Sequence, residues 1–66
     1  MRQWLADSRA RSGMTMTKVA LAAGITPQAY SYIENGDRNP SVPTAQKIAS
    51  VLGFDWTEFF EKEESA

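Results

Sequence analysis

Sixty-six residues, 42% of them hydrophobic and with a formal charge of −1, make one small domain near the lower size at which an apolar core alone outweighs chain entropy. With no cysteine and no histidine, disulfide staples, the usual zinc sites, thiol nucleophiles and imidazole bases are excluded, so stability must come from packing. The apolar residues fall in short clusters that never approach the run of about 18 a membrane span requires, and no signal-peptide pattern opens the chain; a soluble cytoplasmic protein is the expectation.

The first helix is expected over about residues 2–11, with Met1, Leu5, Ser8 and part of Trp4 turned to the core, until Ser12-Gly13 stop it. Thr15 then offers an N-cap hydroxyl to a second helix over residues 16–23. Lys18 stands at the third helical position, where Glu or Gln would complete a capping box and where a positive charge opposes the helix dipole. That local cost makes sense if Lys18 faces a phosphate. Val19, Ala20 and Ala23 recur at helical spacing, and Gly24 follows as a C-cap able to take positive φ. Thr26 caps a third helix and Pro27 fills its first position, where the missing amide hydrogen costs nothing. This helix turns Tyr30 and Ile33 inward and ends at Asn35-Gly36. Two helices meeting at so sharp a turn read as a helix-turn-helix over about residues 16–35, a unit that commonly reads DNA.

A loop of Asp37, Arg38, Asn39 and Pro40 leads to Ser41, the cap of a fourth helix. Its first turn tolerates Pro43, and Ala45, Ile48, Ala49 and Leu52 share one face before Gly53 ends it. Asp55 followed by Glu58 resembles a capping arrangement for a short last helix, in which Trp56, Phe59 and Phe60 supply much apolar area. Residues 61–66 are expected to fray. With no repeat and no strand-like alternation, the chain predicts an all-α fold of five short helices. Charge is polarised along it. Up to Lys47, the cations Arg2, Arg9, Arg11, Lys18, Arg38 and Lys47 outweigh Asp7, Glu34 and Asp37 by +3. From Ile48 onward, Asp55, Glu58, Glu61, Glu63 and Glu64 against Lys62 leave −4. A mildly basic body therefore carries an acidic end that should face away from any polyanion.

Arg9 four residues before Gly13, Gly13-Met14-Thr15, Val19-Ala20 with Ala23-Gly24-Ile25, and Ile33-Glu34-Asn35-Gly36 followed by Arg38, Asn39, Pro40 and Ser41 form an ordered set, continued by Ala49, Leu52-Gly53 and Phe54-Asp55-Trp56. The set resembles the Cro/CI-type, or Xre-type, helix-turn-helix domains of phage repressors and bacterial regulators over nearly the whole chain. The resemblance implies a compact five-helix, lambda-repressor-like domain. It also implies a structural ion pair between Arg9 and Glu34, partly buried, and a third helix whose N-terminal half meets base edges in the major groove.

Ala20 and Gly24 are expected where the second and third helices approach most closely, so bulk at Ala20 would pry them apart. Gln28 is the first candidate base reader, because its amide both donates to and accepts from an adenine edge; its ordinary alternative is an exposed glutamine. Tyr32 either meets a thymine methyl or a phosphate, or packs over the seam between the second and third helices. Ala29 and Ser31 complete the candidate base-reading set. Phosphates would be held by Thr15 and Met16 through their amides, by Lys18, by the Thr26 hydroxyl, and by Asn35 and Arg38. Asn39 is expected to build the turn into Pro40. Three positions depart from the family pattern: Met16 replaces a common glutamine, Pro27 removes a polar position, and Asp37 stands where lysine is frequent. They imply weak or strongly salt-sensitive binding.

The resulting expectation is a repressor-like, sequence-specific DNA-binding transcriptional regulator from a bacterial or phage setting. Its partner is double-stranded operator DNA, read by two copies about 34 Å apart on a pseudo-palindrome. A homodimer would use the fourth and fifth helices, unless Trp56, Phe59 and Phe60 serve only the core. The rival is an interaction module that keeps the fold without binding DNA, favoured by the acidic balance, Met16 and Asp37 and opposed by Thr26, Gln28, Asn35 and Arg38. No enzyme, metal, cofactor or small-molecule substrate is expected, since the carboxylates sit on exposed helix ends and the fold offers no deep pocket.

Overall fold

A computed structural model describes residues 1–61. Over these residues the chain is all helical: α1 (Gln3–Arg11), α2 (Met16–Ala23), α3 (Pro27–Asn35), α4 (Val42–Leu52) and α5 (Glu58–Glu61). Three helices start on the same device. The Thr15 hydroxyl accepts the Lys18 amide at 3.1 Å, Thr26 accepts Ala29 at 3.1 Å, and Ser41 accepts Thr44 at 3.4 Å. Each satisfies one orphan donor of a first turn, an effect of about 1 kcal/mol.

Between α2 and α3 the chain reverses at Gly24, whose φ of +76° is left-handed. The packing role expected for this glycine is not seen, although α2 and α3 are in contact. A Cβ added at Gly24 would meet nothing within 4 Å, so the position requires glycine for its backbone angle and not for room. Ala20 is different: it is fully buried in the core that α2 shares with α3 and α4. Extra bulk there should cost about 1–3 kcal/mol.

The core joins Leu5 of α1, Val19 of α2, Tyr30 and Ile33 of α3, Ile48 of α4 and Phe59 of α5. Trp4 closes it at one end, meeting Phe54 edge-on at 5.3 Å and Phe59 at 5.2 Å between ring centroids. Such pairs add about 0.5–1.5 kcal/mol each beyond area burial. They fasten α1 to the C-terminal third of the domain.

Met1 corrects the expected core. It is 71% exposed, while Arg2 beside it is 4% exposed. The reason is a long-range backbone bond: the Arg2 amide donates to the Glu34 carbonyl at 2.8 Å, which turns the Arg2 side chain inward under the end of α3. Glu61, expected in the fraying end, closes α5; residues 62–66 lie outside the described part.

Candidate nucleic-acid interface

Helical periodicity gives α3 two unlike faces. Tyr30, Ile33 and Glu34 are buried, whereas Gln28 and Asn35 are exposed and Tyr32 and Ser31 are half-buried. The inward face holds the helix in place. Glu34 is 0% exposed, and the Arg9 guanidinium, 21% exposed, grips it with Nε to Oε1 at 2.8 Å and Nη2 to Oε2 at 3.2 Å. Arg9 also donates to the Met14 carbonyl at 3.0 Å, and the Tyr30 hydroxyl donates to Glu34 Oε1 at 2.8 Å. The hydrogen bond to Glu34 raises the pKa of Arg9. Burial, then the bond to Glu34, raises that of Tyr30 well above its ordinary 10.0. A fully buried carboxyl group is tolerated here because three hydrogen bonds from two side chains replace the water it has lost.

The outward face carries a second hydrogen-bonded chain. Gln28 Nε2 donates to the Tyr32 hydroxyl at 3.3 Å, and the Arg38 guanidinium lies 4.6 Å from the centroid of the Tyr32 ring. The loop returns to the same residue through its backbone, since the Asp37 and Arg38 amides donate to the Tyr32 carbonyl at 2.9 and 3.2 Å. Thr26, Gln28, Ala29, Tyr32 and Arg38 together line a shallow hollow of about 230 Å³. Beside it Asn35 donates to the Ser31 hydroxyl at 3.4 Å.

The candidates on α2 are placed less uniformly. Thr15 and Lys18 are exposed, but the side chain of Met16 packs against the core. Only the backbone of Met16 is therefore available to an anion, which matches the role of amides rather than side chains at a helix start.

Arg2 is the residue sequence reasoning missed, having been counted only among the cations of a basic body. It donates through Nη1 to the carbonyls of Ile33 and, at 3.0 Å, of Arg38, and through Nη2 to Asn39 Oδ1 at 2.5 Å. Its guanidinium also lies 5.8 Å from the centroid of the Phe59 ring. These partners are 31 to 37 positions away, beyond any local pattern. No local signal singled it out, since the last turns of α2 and α4 lack a basic residue just as that of α3 does. Asn39 thus does more than shape the turn into Pro40: it ties the loop to Arg2.

A short helix with an amide and a phenol on its outward face, a loop cation against the phenol, and a buried ion pair holding its inward face has the placement of the second helix of a helix-turn-helix. Residues 5–59 match the family model described as Helix-turn-helix. The chain belongs to this family, in its Cro/CI or Xre type, whose members are DNA-binding transcriptional regulators. It is 52% identical over 61 residues to YqaF, an uncharacterized HTH-type transcriptional regulator of Bacillus subtilis (strain 168), covering 92% of this chain and 80% of that one. It is 33% identical over 60 residues to the HTH-type transcriptional regulator PuuR of Escherichia coli (strain K12), covering 91% of this chain but 32% of PuuR. An uncharacterized HTH-type transcriptional regulator of Archaeoglobus fulgidus is 37% identical over 52 residues, 79% of this chain and 74% of that one. No solved structure matches. No helix among the described residues is long and apolar enough to cross a membrane.

Proposed function

We propose that this regulator lays α3 in the major groove of an operator half-site and reads it with Gln28, supported by Tyr32, Ala29 and Ser31. The observation that carries the reading is the chain Gln28–Tyr32–Arg38, which presents a base-reading amide and a phosphate-seeking cation from one outward strip. Arg38, Asn35, Lys18, the Thr26 hydroxyl and the amides of Thr15 and Met16 hold the backbone on either side, setting register without reading sequence.

The protein acts as a repressor-like regulator in the cytoplasm, and it binds as two copies. Supporting the second copy, Phe60 is 48% exposed and Val42 46% exposed, and Trp56, partly buried against the core, meets the Phe60 ring edge-on at 6.0 Å. Phe59 is not available for this purpose, being fully committed to the interior.

Titrating the protein against duplexes at rising salt tests the reading. Lys18 and Arg38 are the cations placed to neutralise phosphates, so log K should fall against log salt with a slope of about −2 per half-site, or about −4 for a bound pair. An absence of saturable binding on random-sequence duplex even at low salt identifies an interaction module that has kept only the fold.

A further inference from the structure

Arg38 is exposed, long and mounted on a loop; its backbone amide donates to the Tyr32 carbonyl at 3.2 Å, and two further anchors hold it before any DNA arrives. One is the Tyr32 ring beneath it, 4.6 Å away. The other is Arg2, which is itself 4% exposed and so withheld from any polyanion. Its Nη1 donates to the Arg38 carbonyl at 3.0 Å and to the Ile33 carbonyl, and its Nη2 donates to Asn39 Oδ1 at 2.5 Å. One planar fork thus ties the last turn of α3 to the carbonyl of Arg38 itself and to the side chain of Asn39 next to it. A guanidinium suits this position because it offers several fixed donors in one plane; an ammonium could not meet all three acceptors in that geometry. The positive charge also sits at the negative end of α3, where it is favoured.

Resting on the reading that Arg38 meets a phosphate, we infer that Arg2 is the positioning residue of the DNA interface: it never touches DNA, and it acts by holding the 36–40 loop so that Arg38 is already in its bound place. Without the clamp the charge of Arg38 remains, and only its ordering is lost. The signature is therefore a fall in affinity without a fall in the number of ions released.

Arg2→Met tests this, because methionine keeps apolar contact with Phe59 while removing every donor. DNA affinity should drop roughly 2- to 10-fold, the cost of ordering one long side chain on binding, with the salt slope unchanged. Arg38→Ala should instead flatten that slope by about 1, and adding Arg2→Met to Arg38→Ala should then change affinity no further. Arg2→Lys should behave like Arg2→Met, charge alone being insufficient. In the free protein, NMR should find the Arg38 side-chain protons shifted by the Tyr32 ring, and Arg2→Met should remove that shift and speed hydrogen exchange at the Asp37 and Arg38 amides while sparing the capped Lys18 amide. If Arg2→Met does not fold, Asn39→Ala removes one loop acceptor at an exposed position and should give a smaller change of the same kind. The inference is overturned if Arg2→Met flattens the salt slope, if its effect adds in full to that of Arg38→Ala, or if the ring shift of Arg38 persists without the clamp. The NMR arm stands apart from the DNA reading: loss of the ring shift in a protein that binds no DNA would keep the clamp and discard the interface.

Discussion

Two tyrosines on α3, two positions apart, meet the same kinds of partner on opposite sides of the helix. Tyr30 donates to Glu34 four residues on, with Arg9 behind the carboxylate. Tyr32 accepts from Gln28 four residues back, with Arg38 over its ring. The difference lies in the solvent. Tyr30 and Glu34 are 0% exposed, so each unmade bond there leaves a polar group stranded in low dielectric. Tyr32 is half-buried and Gln28 exposed, so water competes for every bond and little stability depends on them. The same pairing chemistry thus anchors the helix on one side, and on the other leaves donors and acceptors that a ligand can claim.

The largest test of that contrast is to strand Glu34. Arg9→Ala should cost about 3–5 kcal/mol in chemical denaturation, close to all the stability a domain of this size commonly has. A loss below about 1 kcal/mol, the range of surface pairs, would mean that Glu34 is hydrated and the two faces are alike.

Next is Tyr30→Phe, which removes one hydrogen bond to a charged group and should cost about 1.5–3 kcal/mol near neutral pH. It should also change the alkaline limb. Because Tyr30 ionises higher in the folded chain than its ordinary 10.0, the unfolded chain loses this proton first. Stability is therefore whole below pH 10 and declines as pH rises past it. Thermal melts from pH 8 to 12 should show a shallower alkaline decline in Tyr30→Phe than in the native protein.

On the outer face, Gln28→Ala should leave stability within about 0.5 kcal/mol but relax preference at one base pair by about 1–3 kcal/mol. Equal loss on every sequence, read from a panel of operator variants, would remove Gln28 from the reading set. The smallest effect is expected for Tyr32→Leu, which removes the half-buried ring beneath Arg38 and should weaken binding by about 0.5–1 kcal/mol, read from the same panel.

How much of this was legible in the sequence follows from the range of each interaction. The starts of α2, α3 and α4 could be read because a hydroxyl caps an amide three residues on, and the turn at Gly24 because one residue must take a left-handed φ. Tyr30 and Ile33 could be turned inward from periodicity, whereas the burial of Glu34 was implied only by the family likeness. Met1 was misplaced for the opposite reason: hydrophobicity favours its burial, but the bond between the Arg2 amide and the Glu34 carbonyl orients the neighbouring residue inward. Gly24 was given a packing role because a small residue in a tight turn has two explanations, and only the open space around it separates them. The pairing of Arg9 with Glu34 came from family likeness, since no local rule joins positions 25 apart.

Stereochemistry within a few residues therefore determined the helices, their ends and the outward placing of Gln28. Tertiary structure alone decided that Arg2 is buried, that Tyr30 shares Glu34 with Arg9, and that Arg38 lies over Tyr32. Burying a charge is tolerable only where distant carbonyls and side chains converge on it, and such convergence exists only after the chain has folded.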